Sequence, residues 1–559
     1  MDKRYFFERN LLALSRKNPV LCSRLSAAET TLNRYKFLES RSGEVIPAWV
    51  DNAGGAHPLH SLVDPQREGD RLLAAGNNEG FIIILGLGGA YAAAAALGQK
   101  NTRQVLVIDY DLNGMAELLC SKEYIGVFSD SRFQLLVDAP AELIEGYILD
   151  SYQPILSGGI RTLPLRTRTV FSTAEFSAAA AAVEAAINAV SADYSVQAWF
   201  GTRWFSNIIR NILRAENAES PLPPIREAII TAAGPSLDSQ LPEIKAERQK
   251  KYLIATDTSL PALLSAGMEP DAVVSIDCQH ISYYHFMEGL PEIPLFLDLA
   301  SPPLVASFSA HPRFFSGGHP LTRFVSLHWR PLPAIDTAGA NVTYAALSLA
   351  EYLGAARAQI YGADFSYPLG RTYARGTYIH GYFDQRQNRL QSLEARYSAF
   401  LYRSPLEKQQ KDPENWYYET GSLKRYRQGL EEKIRSMAKA GKTIIPAAGL
   451  GAPIEITLPE KPPFNASASA APVLRLFSGG AKTMSGGEFL KEYRNRIAAL
   501  PRMDKNPAAY QESLGEEDGP LFSTLLPAAA AIKRRHKELD TGELLERVRA
   551  YYLEELDRL

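Results

Sequence analysis

Three cysteines in 559 residues, Cys22, Cys120 and Cys278, are too few and too far apart for a disulfide framework or a metal ligand set, so a reducing compartment is expected. An excess of either charge is missing as well. Sixty Lys and Arg stand against 62 Asp and Glu, a formal charge of −2, which speaks against general binding to a polyanion such as nucleic acid. The start, Met1-Asp-Lys-Arg-Tyr-Phe-Phe-Glu-Arg, is too charged for a secretory signal, so a cytoplasmic location with no membrane partner is expected. The uncharged run Phe81 to Gly98 approaches the length that spans a bilayer, but Gly86, Gly88 and Gly89 break it, and it reads as strand, turn and Ala-rich helix. With 46% hydrophobic and 22% charged residues the composition is that of an ordinary globular protein, long enough for two to four domains.

Residues 1–45 place Phe6, Leu11, Leu12, Leu14 and then Leu21, Leu25, Leu32, Phe37 at helical spacing, which predicts two amphipathic helices. Val45 to Leu62 reads as a small β segment with an Asn52-Ala-Gly-Gly turn, and Asp64-Pro65 as the start of a helix. The strand–turn–helix of 81–98 leads to Val105-Leu-Val-Ile-Asp-Tyr-Asp (105–111), a second strand with an acidic end. This pattern resembles the nucleoside-binding end of Rossmann-like methyltransferases, in which the acidic residue holds ribose hydroxyls; tight helix–strand packing accounts for the same glycines, and no catalytic constellation follows. Residues 171–215 predict helix, and Pro221-Leu-Pro-Pro marks a boundary.

Three short apolar runs follow, each ending in small, hydroxylated or acidic residues: 227–238 with Ala232-Ala-Gly-Pro-Ser-Leu, 252–260 with Ala255-Thr-Asp-Thr, and 271–277 with Val274-Ser-Ile-Asp. Such runs are expected of buried parallel strands whose carboxyl ends open on a ligand crevice. In the first turn Gly234 permits close backbone approach and Pro235 fixes φ, while Ser236 is placed to cap a helix over 237–246, so that free amides face an anion such as a nucleotide phosphate. Asp257, Thr258 and Asp277 stand at the next two strand ends. Further strands are predicted at 295–298, 324–327 and 359–367, the last carrying Asp364 and Phe365. Thr337-Ala-Gly-Ala-Asn reads as a turn through Gly339, with Asn341 capping a helix that Gly354 closes, and this aims a second helix N-terminus into the same crevice. After Asp364, Tyr367, Tyr373, Tyr378 and Tyr382 alternate with Arg371, Arg375 and His380. So many hydroxyls and guanidiniums suit a ligand-facing loop better than a core.

In their order, these elements resemble the motility-associated factor (Maf) proteins, flagellin glycosyltransferases of the DUF115 or MptE-like type. Pro58-Leu-His-Ser-Leu-Val-Asp-Pro-Gln-Arg-Glu (58–68) and the Leu85-Gly-Leu-Gly-Gly turn agree with that family's first domain, so the likeness runs from about residue 40 to 455. The resemblance implies an α/β protein with two Rossmann-like domains, one methyltransferase-like (71–220) and one sialyltransferase-like (221–458), after N-terminal helices and a small β segment (1–70). A linker (459–471) and a helical C-terminal domain (472–559) complete the expected division.

The central region is similar to bacterial sialyltransferases that use a CMP-activated sugar, in which two tyrosines six residues apart stabilise the departing phosphate; Tyr367 and Tyr373 have that spacing. Two departures stand out: Ala232-Ala233 replace a Gly-Asn, and no histidine lies at Trp416-Tyr-Tyr-Glu-Thr, where the sialyltransferase base is expected. His380, with Glu419 as alternative, is then the candidate base. The resemblance implies transfer of a CMP-activated nonulosonic acid to Ser or Thr of flagellin, with the need for a divalent metal open. Two other classes remain: a DUF115-type pterin pyrophosphokinase that uses ATP and Mg²⁺ held by Asp257, Asp277 and Asp364, and a non-catalytic flagellin-binding chaperone with a helical docking tail.

Overall fold

The structure, a computed structural model, describes residues 3–30, 33–74, 79–216, 222–456, 484–502, 510 and 513–559. The linker expected at 459–471 lies outside them. The chain forms two compact units: residues 1–199 with 501–515 and 526–548, and residues 200–500 with 516–525 and 549–559. The C-terminal helices are thus shared between the two units, whereas the sequence predicts a separate helical domain. Among the described residues no helix is long and apolar enough to cross a membrane.

In the first unit, β1 (Tyr35–Glu39), β2 (Val45–Val50) and β3 (Ala56–Pro58) form an antiparallel sheet around the expected 52–55 turn. The second predicted amphipathic helix is shorter than expected. It spans Pro19–Ser26, opened by Asn18, whose side chain accepts from the Leu21 amide. Phe37 instead lies on β1, where Tyr35-Lys-Phe-Leu-Glu pairs along β2 and cross-strand pairing overrides the helical spacing; Leu32 lies outside the described residues. The core of this unit is a parallel sheet of β4 (Glu79–Leu85), β5 (Gln104–Asp109), β6 (Phe133–Val137) and β7 (Gly159–Pro164), in the order β6-β5-β4-β7. The central runs Phe81–Leu85 and Val105–Ile108 are apolar and buried because both faces are covered, whereas the edge strand β7, with Arg161 and Thr162, is half-buried. Ile82, Ile84, Val105 and Val107 face one core cluster, whereas Phe81, Ile83, Leu106 and Ile108 face another that includes Phe176, Ala179 and Val183 of the long helix Thr173–Ile212.

The second unit is built on seven parallel strands: β8 (Glu227–Thr231), β9 (Tyr252–Thr256), β10 (Ala272–Ser275), β11 (Leu295–Asp298), β12 (Arg313–Phe315), β13 (Arg357–Tyr361) and, closing the edge, β17 (Thr443–Pro446), in the order β12-β11-β10-β9-β8-β13-β17. A small antiparallel sheet of β14 (Tyr367–Pro368), β15 (Glu407–Gln410) and β16 (Trp416–Glu419) sits in the 367–419 insertion. One face of the large sheet packs Ile230, Ile254, Val274 and Ile360 against the helices Val342–Tyr352 and Gly421–Lys439.

The strand predicted at 324–327 is a helix, Pro320–His328. Pro320 stands at its first turn, His319 caps it by accepting from the Leu321 amide, and Leu321, Phe324 and Val325 are buried at helical spacing. The strand that occupies this place in the sheet is β12, which the sequence does not announce. Near the C-terminal end of the long helix, Asn207 Nδ2 donates to the carbonyls of Cys278 and Ala300, and Asn211 Nδ2 to those of Leu299 and Ser301, so two amide side chains pin the loops after β10 and β11.

Candidate active site

The turn after β8 is held by the protein itself. The Gly234 amide donates to the Gly362 carbonyl at 2.8 Å and the Leu237 amide to the Gly234 carbonyl at 3.0 Å. Buried Asp364, just past β13, takes the Ser236 amide at 2.8 Å and the Ser236 hydroxyl at 2.5 Å, and also accepts from the Gly451 amide at 3.0 Å. A Cβ on Gly234 would come within 2.5 Å of both the Asp364 carboxylate and the Gly362 carbonyl, so the close approach that needs glycine here is that of a carboxylate from the next strand. The expectation of free amides and a capping Ser236 is therefore corrected. Ser236 makes no side-chain cap on the helix Leu237–Glu247, and Asp364 is the anion that fills the turn. Pro235 and Ser236 are both buried. Phe365, in the left-handed region at φ +43°, packs against the sheet core and is committed there.

The loop after β14 lies directly on this turn. The Ala374 amide donates to the Ala233 carbonyl at 2.9 Å and the Arg375 amide to Asp238 Oδ1 at 2.9 Å. Tyr367 and Tyr373, placed by β14 and by this loop, are brought together: Tyr367 is near enough to raise the cost of ionising Tyr373, and both face the Arg403 guanidinium, which no sequence motif singles out. Burial lifts the Tyr367 hydroxyl above the usual phenol range, partly offset by Arg403. Tyr373 is pushed up to about 12 by burial, then by Tyr367, with Asp257 adding to the rise. Both are thus neutral O–H donors near pH 7.

Asp257, past the end of β9, is the carboxylate of this cluster. It is buried, accepts from the Ser275 hydroxyl at 2.6 Å and takes both the amide and the hydroxyl of Thr258 at 2.7 and 3.0 Å. Asp277, past β10, accepts from the Gln279 amide at 2.8 Å; burial, and with it the nearby Asp257, raise its carboxyl above the ordinary range. The following 3-10 turn, His280–Phe286, sets His285 edge-on to Tyr378 with ring centroids 4.5 Å apart, and Tyr284 edge-on to Tyr382 at 5.0 Å. Tyr378 lies 6.3 Å from Tyr373, so a continuous set of rings links the β10 turn to the tyrosine pair.

His380 belongs elsewhere. It sits on the helix Tyr378–Asp384, where the predicted loop turns helical, and its Nδ1 is hydrogen-bonded to the Tyr397 hydroxyl. The charged groups facing it are Asp238 and Arg375, not Asp257. Glu419 is buried and paired with Arg427 at 3.1 Å, which also holds Glu431 at 3.1 Å, so the alternative base is tied into a structural ion pair. Gly339 and Asn341 form another group. Asn341 does cap its helix, accepting from the Tyr344 amide at 3.0 Å, and its Nδ2 donates to the Gly339 carbonyl at 2.8 Å. The Tyr344 ring covers Gly339, and its hydroxyl donates to Asp336 at 2.7 Å. These contacts account for both residues within the fold.

In the first unit the glycine turn after β4 is filled in the same way. The Leu87 amide donates to Asp109 at 2.7 Å and the Gly89 amide to His60 Nε2 at 2.8 Å; Asp109 is paired at 3.2 Å with Arg168, and both are buried. A Cβ on Gly88 would meet His60 Nε2 at 2.5 Å. Tight packing, rather than a nucleoside site, describes this turn. Among the described residues no group of three or more His, Cys, Asp or Glu side chains is arranged to hold a metal ion.

Residues 203–370 match the family model described as 6-hydroxymethylpterin diphosphokinase MptE-like. This central segment is similar to that family. The matched segment carries Asp257, Asp277, His285, Asp364 and Tyr367 and stops just short of Tyr373. Over its whole length the chain shares the fold of a solved Maf glycosyltransferase from Magnetospirillum magneticum AMB-1, with a TM-score of 0.59 and 13% identity over 99% of this chain and 95% of that one. Three uncharacterized proteins of Treponema pallidum (strain Nichols) are also similar: 34% identical over 139 residues, 39% over 92 and 26% over 244, or 24%, 16% and 40% of this chain. These matches span 66%, 32% and 52% of the relatives' own lengths, less than two thirds in each case.

Proposed function

We propose that the chain is a cytoplasmic glycosyltransferase that moves a nonulosonic acid of the pseudaminic or legionaminic type from its CMP form to Ser or Thr hydroxyls of flagellin. The observation that carries this reading is the meeting of Tyr367, Tyr373 and Arg403 beside Asp257 at the carboxyl edge of the parallel sheet. Ligands of open α/β sheets bind at that edge. As the bond from the anomeric carbon to the phosphate oxygen breaks, charge grows on the phosphate, and two neutral phenols with a guanidinium are donors suited to receive it. The fold shared with a Maf glycosyltransferase supports the same reaction class. Because the amides after Ala233 are engaged by Asp364, Gly362 and the turn itself, the phosphate is assigned to the phenols rather than to the Gly-Pro-Ser turn.

The family description of the matched segment favours a second reading, transfer of diphosphate from ATP to a pterin with Mg²⁺. Asp364 is engaged in its turn, which leaves Asp257 and Asp277 as the metal-facing carboxylates of that reading. Incubating the protein with a CMP-nonulosonic acid and flagellin, and separately with ATP, Mg²⁺ and a hydroxymethylpterin, distinguishes the two. The transferase reading expects CMP release with modified flagellin in the first mixture and no AMP in the second. CMP release with unmodified flagellin contradicts the acceptor, and AMP release without CMP contradicts the transferase.

A further inference from the structure

The transferase reading leaves open which group takes the proton from the acceptor hydroxyl, since His380 is bonded to Tyr397 and Glu419 is paired with Arg427. Another imidazole stands at the carboxyl edge. His285 is 7% exposed, on the 3-10 turn that follows Asp277, and its ring is edge-on to Tyr378 at 4.5 Å. Its Nδ1 is buried with no hydrogen-bond partner among the described residues, a state shared by Nε2 of His319 and of His380; such an arrangement is costly in a folded protein, and of the three imidazoles it is His285 that faces Asp257. Asp257 is the charged group that faces it, and Tyr378 is the titratable ring packed against it. Tyr378 in turn touches Tyr373, whose phenol is assigned to the leaving phosphate.

We infer that His285, rather than His380, accepts the proton of the acceptor Ser or Thr hydroxyl, with Asp257 stabilising the imidazolium that forms. This rests on the transferase reading. The acceptor O–H bond breaks and its proton passes to the His285 imidazole. The oxygen's electron pair forms the new bond to the anomeric carbon, while the bond to the CMP phosphate breaks and its pair leaves with the phosphate, where Tyr367 and Tyr373 donate hydrogen bonds. The imidazolium then returns its proton to solvent. A neutral imidazole is required at the start. Burial favours that form by lowering the His285 pKa below its usual value, with Asp257 acting in the opposite sense.

The test compares the full-length protein with His285→Asn, His285→Gln and His380→Asn, measuring CMP binding by calorimetry and transfer to flagellin as a function of pH. General-base loss predicts that both His285 variants bind CMP as the wild type does, but transfer about 100-fold or more slowly. It also predicts that the acidic limb of kcat against pH disappears in them, while His380→Asn stays within about threefold of wild type and keeps the limb. Transfer by His285→Asn at near wild-type rate, with the limb intact, overturns the assignment and leaves the transferase reading standing. If the His285 variants fail to fold, the wild-type profile decides. An acidic limb at or below the ordinary imidazole range supports the proposal, and a rate that stays flat down to the pH at which the protein unfolds overturns it. Wild-type protein that releases no CMP from any CMP-nonulosonic acid overturns both.

Discussion

In the first unit the amides of the glycine turn after β4 go to Asp109 and His60, and in the second the turn after β8 gives its Ser236 amide and hydroxyl to Asp364. The two turns share one device, a buried carboxylate from an adjacent strand end set where an anion would sit. They differ at the neighbouring strands. In the first unit the carboxylate is closed off by Arg168, which is itself buried and stacks at 4.5 Å over Trp49. In the second, the next strand ends carry Asp257, Asp277 and an imidazole with a nitrogen unpartnered among the described residues, beside the buried Tyr367 and the half-buried Tyr373. A glycine turn at the end of a strand is thus a packing feature in both units, and in the second unit the proposed chemistry lies one or two strands away from it.

Breaking the closed turn produces the largest effect expected. Arg168→Ala leaves Asp109 as an uncompensated buried carboxylate and costs about 3–5 kcal/mol, read as a lower denaturation midpoint. Asp109→Asn beside Arg168→Met removes both charges while keeping an acceptor for the Leu87 amide, and recovers part of it. In the second unit, Tyr373→Phe keeps the ring and removes the donor, and transfer from a CMP-sugar falls about 100-fold with stability little changed. A larger loss of stability than of activity would reduce Tyr373 to packing.

Burial of Asp298, at the end of β11, raises its carboxyl to about 6. The folded state therefore holds this proton more tightly than the unfolded chain. The site is fully compatible with folding below pH ~4 and increasingly costly as pH rises through ~6, by up to about 3 kcal/mol. Between pH 4 and 7 the stability of wild type should fall relative to that of Asp298→Asn by a sizeable fraction of this amount. A stability difference between the two proteins that is the same at both pH values in chemical denaturation contradicts it. The smallest effect is expected of Glu419→Gln, which leaves Arg427 paired with Glu431. It lowers stability by about 1–2 kcal/mol and leaves the pH profile of transfer unchanged, whereas loss of the acidic limb would restore Glu419 as the base.

Much of this architecture is legible in the chain. Apolar runs ending in Ser275, Asp298 or Thr231 read as parallel strands because both faces of each sheet are covered, and the Asn341 cap reads correctly because capping is local chemistry. Helix and strand are confused at 324–327, where four residues suit either, and at Phe37, where pairing with β2 decides. The six-residue tyrosine spacing identifies two residues that the fold does bring together. What cannot be read is which donors are already taken: that Asp364 fills the 234–236 turn depends on a hydrogen bond across 128 positions of sequence. Arg403 and His285 escape for the same reason, since neither is near a motif. The one local signal for His285 is its place in Tyr283-Tyr-His-Phe, an aromatic cluster shortly after the acidic end of β10.

The decisive measurement is a crystal structure with CMP bound. Its phosphate is expected within hydrogen-bonding distance of the Tyr367 and Tyr373 hydroxyls, with the Asp364 bonds to Ser236 unchanged. A phosphate bound to the amides of 234–236 with Asp364 displaced, or bound at the turn after β4 in the first unit, would contradict it.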